Sequence, residues 1–504
     1  MTGNHSPDLD AARRTRELTD LAESTVDLLV VGAGSTGVGV ALDAASRGLS
    51  VAVIEKADLA NGTSRWSSKL VHGGLRYLAH GDIGLAVESA RERHALMTTI
   101  APHLVRPLPM LLPANLPTRL GVGLGDVIRR AVGTRTAVLP WARRVEPEEA
   151  SRLVAAMRPR RGLLHWDGQV VDDARLVTAV ARTAASHGAA ILTRVRATAL
   201  RGTGADVVDE VTGEAATIVA RAVVNATGVW AGTLAPEVTL SPSRGAHIVL
   251  RSAALGHPHT ALNVLVPGSR SRWVFALPTD DDVVLVGLTD DPYDGPTDSP
   301  PVTDADEEFL LSTLSSALRT PLGPGDVVGR FAGLRPLLSG GGATADLSRH
   351  HAVVRGGDGV VTITGGKLTT YRKMAADAVD ATALTAARSA TRRLPLVGAG
   401  SPAQLQQAAA RWPARLVRRY GTEAGRVVQS TDRGDEPLIP GRPELRGEVA
   451  FGLSCELALD AGDLLDRRTR LGLVPADRER AAPVVDELIA AHAARQPGPV
   501  GGSS

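Results

Sequence analysis

Lysine is nearly absent from this chain: only four of its 56 Lys and Arg residues are lysines, leaving 52 arginines. An ammonium is a compact point charge and a guanidinium a planar fork. A sequence that writes its cations as Arg yet keeps Lys56, Lys69, Lys367 and Lys373 therefore points to the short stretches that hold them. Cysteine occurs once, at Cys455, which excludes an intrachain disulfide and any CxxC metal or redox pair and fits a reducing compartment. That thiol lies in an apolar-periodic stretch and is expected in the core. Aromatic residues make up 3%, too few for a base-stacking surface, and 56 basic against 54 acidic residues leave no field that favours nucleic acid. No apolar run approaches the roughly 18 residues of a membrane span. Residues 1–24 are polar, mixed in charge, and without the apolar core of a signal peptide.

What is present is an ordinary globular balance, 43% hydrophobic and 22% charged, in 504 residues, enough for two or three domains. The apolar run 26–31 breaks into Gly32-Ala33-Gly34-Ser35-Thr36-Gly37, a helical pattern follows to Ala45, and a second strand, 50–54, ends at Glu55. Helical periodicity returns at 84–100 and 172–186, and strands are expected at 190–196 and 222–226. The runs 245–250, 273–277 and 283–288 also read as strands, the last two joined as a hairpin through Thr279-Asp280-Asp281-Asp282. A buried strand at 360–364 enters Gly365-Gly366 and a helix from Lys367 to about Ala387. The front of the chain thus has the βαβ order of a parallel sheet and the middle has antiparallel hairpins. The expected organisation is a polar extension (1–24), an α/β body (25–393), a linker (394–402), a mostly helical domain (403–495) and a disordered Pro/Gly/Ser-rich tail (496–504).

Gly32-x-Gly34-x-x-Gly37 sits between a strand and a helix, with Glu55 eighteen residues beyond Gly37. In that setting Gly32 allows the tight turn, Gly34 the approach of backbone to a pyrophosphate, and Gly37 the packing of helix on strand. Ser35 and Thr36 open the helix whose N-terminus faces the phosphates, and Glu55, followed by Lys56, accepts ribose hydroxyls. This fingerprint does not separate NAD from FAD; three other stretches favour FAD. Thr63-Ser64-x-x-Ser67-Ser68-Lys69-Leu70-Val71-His72-Gly73-Gly74 combines small hydroxyls and paired glycines, permitting backbone to approach a flat ring. Val224-Asn225-Ala226-Thr227-Gly228 ends a strand at a glycine, with Trp230 beyond. Ile363-Thr364-Gly365-Gly366-Lys367-Leu368-Thr369 aims backbone N–H groups and a helix dipole at one point, where they would stabilise the anionic edge of a reduced flavin. Together they give an α/β fold: a Rossmann-like FAD-binding domain with an antiparallel-sheet substrate domain, plus a C-terminal mostly helical domain.

The run Ser67-Ser68-Lys69-Leu70-Val71-His72-Gly73-Gly74-Leu75-Arg76-Tyr77-Leu78 resembles the signatures of FAD-dependent glycerol-3-phosphate dehydrogenases. So do Gly333-Leu334-Arg335-Pro336-Leu337 and Gly365-Gly366-Lys367-Leu368-Thr369-Thr370-Tyr371-Arg372-Lys373. Shorter matches are Gly245-x-His247, Leu288-Thr289-Asp290 with Tyr293, and the tail stretch LLDRRTRLGL at 464–473. The resemblance implies oxidation of sn-glycerol 3-phosphate at C2, with the hydride passing to flavin N5. It further implies that Arg76, Tyr77, Arg349 and Lys367 lie near the phosphate and Arg335 nearer the substrate oxygens and flavin. An arginine is a poor proton acceptor, so His247 is the preferred base and His72 is given a flavin-positioning role. The chain departs from the family pattern at Val229, at Arg244 and Ala246, at Leu288, and at His350-His351 after Arg349. A quinone is the expected electron acceptor, with O₂ as the alternative and a flavoprotein acting on tRNA as a more distant one. Between His103 and Val145, seven arginines and a single acid, Asp126, are interleaved with apolar residues. Such a stretch suits an anionic membrane surface, so a cytoplasmic protein peripheral on the inner face of the cell membrane is expected. A homodimer is the expected assembly, and no metal and no nucleic acid are expected.

Overall fold

The computed structural model describes residues 5–74, 82–269, 272–295, 297–339 and 351–495. Among them the strand Thr25–Val31 shows how the first layer is built. Successive side chains of a strand point to opposite faces. Leu28 and Val30 accordingly join one core and Leu29 and Val31 another. The neighbouring strand Val51–Glu55 divides in the same way, Val53 to one side and Ile54 to the other. Burial on both faces is what makes these runs almost continuously apolar.

The sheet that results has eight strands among the described residues. Its main path runs His351–Arg355, Val361–Gly365, Ala215–Asn225, Thr25–Val31, Val51–Glu55, Ala190–Thr193, and all its pairs but the first are parallel. Helices Ser35–Ser46, Asp173–Ser186 and Tyr371–Thr382 contribute to the core on one face. Strands Val195–Arg201 and Gly204–Asp209 fold with Ala215–Asn225 as a meander over the other face. In parallel register, Val31 stands beside Ile54 and Asn225, and Asn225 beside Thr362. The turns after these strands therefore gather at one carboxyl edge, where ligands of open α/β sheets bind.

The second sheet has ten strands among the described residues and is mostly antiparallel. Ser243–Arg251 pairs with both Val283–Gly287 and Val327–Arg335, and Trp273–Pro278 joins Val283–Gly287 as the expected hairpin. Helices Pro147–Leu153 and Asp304–Ser315 seal one side through Ala150, Leu310 and Leu314. Residues 402–495 add a helical domain with two small cores, one around Val449, Leu464 and Val485 and one around Tyr420, Phe451 and the buried Cys455.

Three stretches differ from the sequence reading. Only part of the 103–145 stretch is surface: Val105–Pro113 is an interior strand, with Leu108, Met110 and Leu111 buried, and the basic apolar character continues in the helix Leu116–Ala131. The expected linker is packed, because Leu396 is buried and its N–H donates to the Ile100 carbonyl. The polar N-terminal stretch forms the helix Ala11–Glu23, and Leu9 before it docks on the tail domain beside Glu456. A smaller difference lies at the end of helix Tyr371–Thr382. It stops where Ala383 turns left-handed (φ +57°), with no glycine there to announce the break.

Candidate active site

The fingerprint turn is built as its spacing predicts. Helix Ser35–Ser46 begins at Gly34, and the Ser35 N–H donates to Ser64 Oγ at 2.9 Å. A Cβ on Gly37 would lie 1.8 Å from the Gly32 carbonyl oxygen, so only glycine lets helix and turn close. Glu55 ends its strand with one carboxylate oxygen accepting from the Ala33 N–H (2.8 Å) and the other from the Ala57 N–H (3.0 Å). Burial raises this carboxyl above its ordinary range, against the pull of those two amides. Lys56 lies over the Trp230 ring at 4.3 Å and pairs with Asp298 at 3.0 Å. Thr36 is half-buried in the first turn of the helix.

The 63–74 stretch runs from this turn to the second sheet. Thr63 Oγ1 donates to the Leu334 carbonyl, and Ser64 Oγ contacts Ser35 Oγ at 3.3 Å. Ser67 donates through both N–H (2.9 Å) and Oγ (2.8 Å) to one oxygen of Asp173, and Lys69 Nζ donates to the other at 2.9 Å. Lys69 and Asp173 are both buried. The Lys69 ammonium is therefore engaged inside the protein, and any role toward a flavin falls to the backbone of its motif. Leu70 pairs with Gln169 in the second sheet, and the Gly73 N–H donates to Asp167 Oδ1 at 3.1 Å, with Gly74 following at φ +81°. Burial raises Asp167, but Arg93, His165 and His72 together outweigh it and hold the carboxyl low.

Ser68 makes the link to the substrate sheet, its Oγ lying 2.9 Å from His247 Nε2. His247 is buried on strand Ser243–Arg251, stacked on Phe331 at 4.7 Å and 9°, and Phe331 stacks on Trp66 at 5.1 Å. Burial, with the Lys69 and Arg335 charges, pushes His247 down to about 3, so its imidazole is neutral at physiological pH. Arg335, at the end of Val327–Arg335, pairs with Asp290 Oδ1 at 2.7 Å and reaches Ser243 Oγ at 3.2 Å. Gly366 and Lys367 lead into the turn Leu368–Thr370, which opens helix Tyr371–Thr382. Lys367 is half-buried, as is Leu368, while Thr369 is buried. Gly228 begins the turn Gly228–Trp230 at the end of the adjacent strand. Arg76, Tyr77 and Arg349 lie outside the described residues.

These groups fit a dinucleotide with a flat ring system. Trp230 Nε1 and Thr364 Oγ1 are buried at the carboxyl edge with no hydrogen-bond partner among the described residues. Space is open around Gly228, where a Cβ would meet nothing within 4 Å. No group of His, Cys, Asp and Glu that could hold a metal occurs among the described residues.

The FAD dependent oxidoreductase family model matches residues 27–372, and the C-terminal domain of alpha-glycerophosphate oxidase matches 389–496. "Glycerol-3-phosphate dehydrogenase 1" of Mycobacterium tuberculosis is 47% identical, over 96% of this chain and 99% of its own length. The chain belongs to the FAD-dependent glycerol-3-phosphate dehydrogenase family. Its fold matches the FAD-complexed glycerol-3-phosphate dehydrogenase of Bacillus halodurans with a TM-score of 0.74 and 27% identity, over 95% of this chain and 94% of that one. L-alpha-glycerophosphate oxidase of Mycoplasma pneumoniae, at TM-score 0.57 and 18% identity, covers 74% of this chain and 99% of its own, a likeness of fold. FAD is the cofactor of this family member, as its motifs predict.

Sequence reasoning missed the residues that hold the site together. Asp173 reads as an ordinary residue at a helix start, and nothing in the sequence ties it to Ser67, 106 positions earlier. Phe331 and Trp66 carry no motif of their own. Asp290 stands in a family-like run, but its pairing with Arg335 emerges only when two strands align.

Proposed function

We propose that this protein oxidises sn-glycerol 3-phosphate to dihydroxyacetone phosphate and passes the electrons to a quinone. The observation that carries the reading is agreement over the whole chain: both domains match, and the 47% identical dehydrogenase aligns over 99% of its length. FAD, when bound at the fingerprint turn and the Gly228 and Gly366 turns, would supply the acceptor for the two electrons and hydride removed from C2.

The chain's own residues orient the substrate and manage its charge. Lys367, with Arg76, Tyr77 and Arg349, meets the phosphate dianion, each charge-assisted hydrogen bond contributing about 1.5–3 kcal/mol. Arg335, kept in orientation by Asp290 and Ser243, faces the substrate oxygens. His247, neutral and fixed by Ser68 and Phe331, accepts the C2 hydroxyl proton at a ring nitrogen. Burial, and after it the Lys69 and Arg335 charges, depress His247, and an anionic substrate offsets the charge part of that depression. His72, which helps hold Asp167 ionised, positions the Gly73-Gly74 turn.

Contact with a membrane is supported by one helix. No helix among the described residues is long and apolar enough to cross a membrane. On Leu116–Ala131, however, Leu116, Leu120, Leu124 and Val127 form one stripe at helical spacing, each 46–65% exposed. Arg119, Arg143 and Arg144 line a cavity of about 310 Å³ beside it, and Trp141 is exposed at its rim. An apolar stripe flanked by arginines fits an anionic bilayer surface, where the quinone resides.

The test is anaerobic addition of glycerol 3-phosphate to the yellow holoprotein. Bleaching of the flavin, followed by rapid re-oxidation with a soluble quinone and little peroxide in air, is expected. Absence of bleaching overturns the enzymatic reading, and stoichiometric peroxide replaces the quinone with O₂.

A further inference from the structure

We infer that Arg470, in the helical C-terminal domain, is a positioning residue for the oxidation site, acting through the 65–69 loop and the Trp66–Phe331–His247 ring stack. The inference rests on the proposed role of His247 and gives the tail domain a part in the chemistry.

Arg470 lies between the turns Leu464–Arg468 and Leu471–Leu473, in a left-handed backbone conformation (φ +70°) that disfavours side chains with a Cβ. Its own backbone carries this strain while its buried guanidinium reaches out of the tail domain to two groups and back to a third. Nε pairs with Asp172 at 3.0 Å, Nη2 donates to the Arg65 carbonyl at 2.8 Å, and Nη1 donates back to the Asp466 carbonyl at 2.9 Å. The guanidinium carbon also lies 5.4 Å from the centre of the Trp66 ring, within cation–π range.

Arg65 and Trp66 begin the loop that ends at Lys69, and that loop is fixed from both sides. Asp173 holds Ser67 and Lys69 from beneath, and Arg470 lies 3.8 Å from the same carboxylate. From Trp66 the rings stack in series, Phe331 at 5.1 Å and then His247 at 4.7 Å, and Ser68 closes the circuit onto His247 Nε2. The orientation of His247 is therefore determined by groups whose outermost support is a tail-domain arginine.

Three other arginines of the interface reach across it to carboxylates. Arg467 and Arg468 both bind Asp58, and Arg182 binds Glu423 through two nitrogens. Those are carboxylate pairs that dock one domain on the other. Arg470 makes a carboxylate pair of this kind too, with Asp172, and in addition holds a loop carbonyl and an aromatic face that belong to the site.

Three holoproteins test this: Arg470→Gln, Arg470→Lys and the docking control Arg182→Gln. Each is read by kcat and KM for glycerol 3-phosphate, by deuterium uptake of the 63–72 peptide, and by exchange at the His247 imidazole C2–H, which reports the acidity of that ring. Arg470→Gln is expected to lower kcat about 10- to 100-fold with KM nearly unchanged, because small misplacements of a reacting group cost that much. It is also expected to speed loop exchange and shift the His247 titration. Arg470→Lys keeps the charge and loses the fork, so an intermediate kcat is expected. Arg182→Gln is expected to lower thermal stability and leave kcat and the His247 titration in place. Wild-type kcat and loop exchange in Arg470→Gln overturn the inference, and so does an equal kcat loss in Arg182→Gln. If Arg470→Gln does not fold, wild-type kcat in Arg470→Lys overturns it. Failure of the wild-type flavin to bleach with glycerol 3-phosphate is a separate result, which removes the functional reading instead.

Discussion

The buried pair Lys69–Asp173 makes a prediction in which the sign of an effect reverses with background. Lys69 Nζ and Asp173 Oδ1 are 2.9 Å apart, with side chains 3% and 0% exposed. Removing one partner of such a pair leaves an uncompensated buried charge and costs about 3–5 kcal/mol. The two halves are not equivalent. Asp173 also accepts from Ser67 N, Ser67 Oγ and Ala174 N, so in Lys69→Met the carboxylate keeps three donors. The expected loss there is the charge-assisted bond itself, about 1.5–3 kcal/mol. In Asp173→Asn the ammonium loses its anion, and the full ~3–5 kcal/mol is expected. Adding Lys69→Met to Asp173→Asn then removes a stranded charge, so the double variant should be more stable than Asp173→Asn alone. The assay is urea unfolding of the four proteins by far-UV circular dichroism, with FAD in constant excess so that ligand linkage is the same throughout. If Lys69→Met destabilises both backgrounds equally, Lys69 contributes through the packing of its stem, and the charge argument is wrong.

Lys367→Met is expected to raise KM for glycerol 3-phosphate roughly 10- to 150-fold, from the loss of about 1.5–3 kcal/mol, while flavin content stays stoichiometric; unchanged affinity removes Lys367 from the phosphate site. Because His247 is pushed down to about 3 before substrate binds, kcat/KM should show no acid limb between pH 5 and 7 assignable to it. An acid limb near pH 6.5 that vanishes in His247→Asn would refute its buried, neutral state. Burial pushes Glu444 up to about 7 from 4.5, so its folded form holds the proton more tightly than the unfolded chain. Its contribution to stability is full below pH 4.5 and falls as pH rises through 7, and Glu444→Gln should flatten the decline in Tm between pH 5 and 8. Leu120→Glu with Leu124→Glu removes two exposed apolar groups worth about 1.5–3 kcal/mol each on burial, so binding to phosphatidylglycerol vesicles should weaken at least about a hundredfold. Equal co-sedimentation of variant and wild type would remove this helix from the membrane contact.

The parallel half of the fold is legible because its signals are local. Strand, glycine turn, helix and acidic strand end all fall within Val26 to Glu55, and each glycine's geometric demand can be read from its spacing. The middle hairpin is legible for the same reason, its turn residues lying between two apolar runs. What escaped was set by distant neighbours. Val105–Pro113 reads as part of a basic apolar surface and is an interior strand, because its neutral side chains are covered by residues far along the chain. Leu116–Ala131 follows, also apolar and arginine-bearing, and stays exposed along its Leu116, Leu120, Leu124 stripe. Apolar residues with interspersed arginines do not by themselves tell which of the two is covered, since burial is a property of the partner. The site shows the same division. Ser68, Lys69 and His247 stand in motifs, but Asp173, Phe331 and Arg470, which fix their geometry, are joined to them across gaps of about 80 to 400 residues.

The scarcity of lysine takes on a definite meaning once the four are placed. Arginine serves wherever a planar fork can meet a carboxylate or a carbonyl, and it does so through the whole domain interface, at Arg175–Glu456, Arg415–Asp281, Arg468–Asp58 and Arg470–Asp172. Lys69 is in a different position. Asp173 already accepts three short hydrogen bonds from Ser67 and Ala174, and the room left at Oδ1 is for one donor. A guanidinium there would bring further N–H groups into a buried space and leave them unpaired, at a cost of about 1–3 kcal/mol each. Lys69→Arg should therefore destabilise the protein although charge is conserved, whereas Lys373→Arg, at a half-buried pair with Asp377 on a helix surface, should change little. If both substitutions are equally silent in urea unfolding, the retention of Lys69 has no basis in the geometry of its pocket.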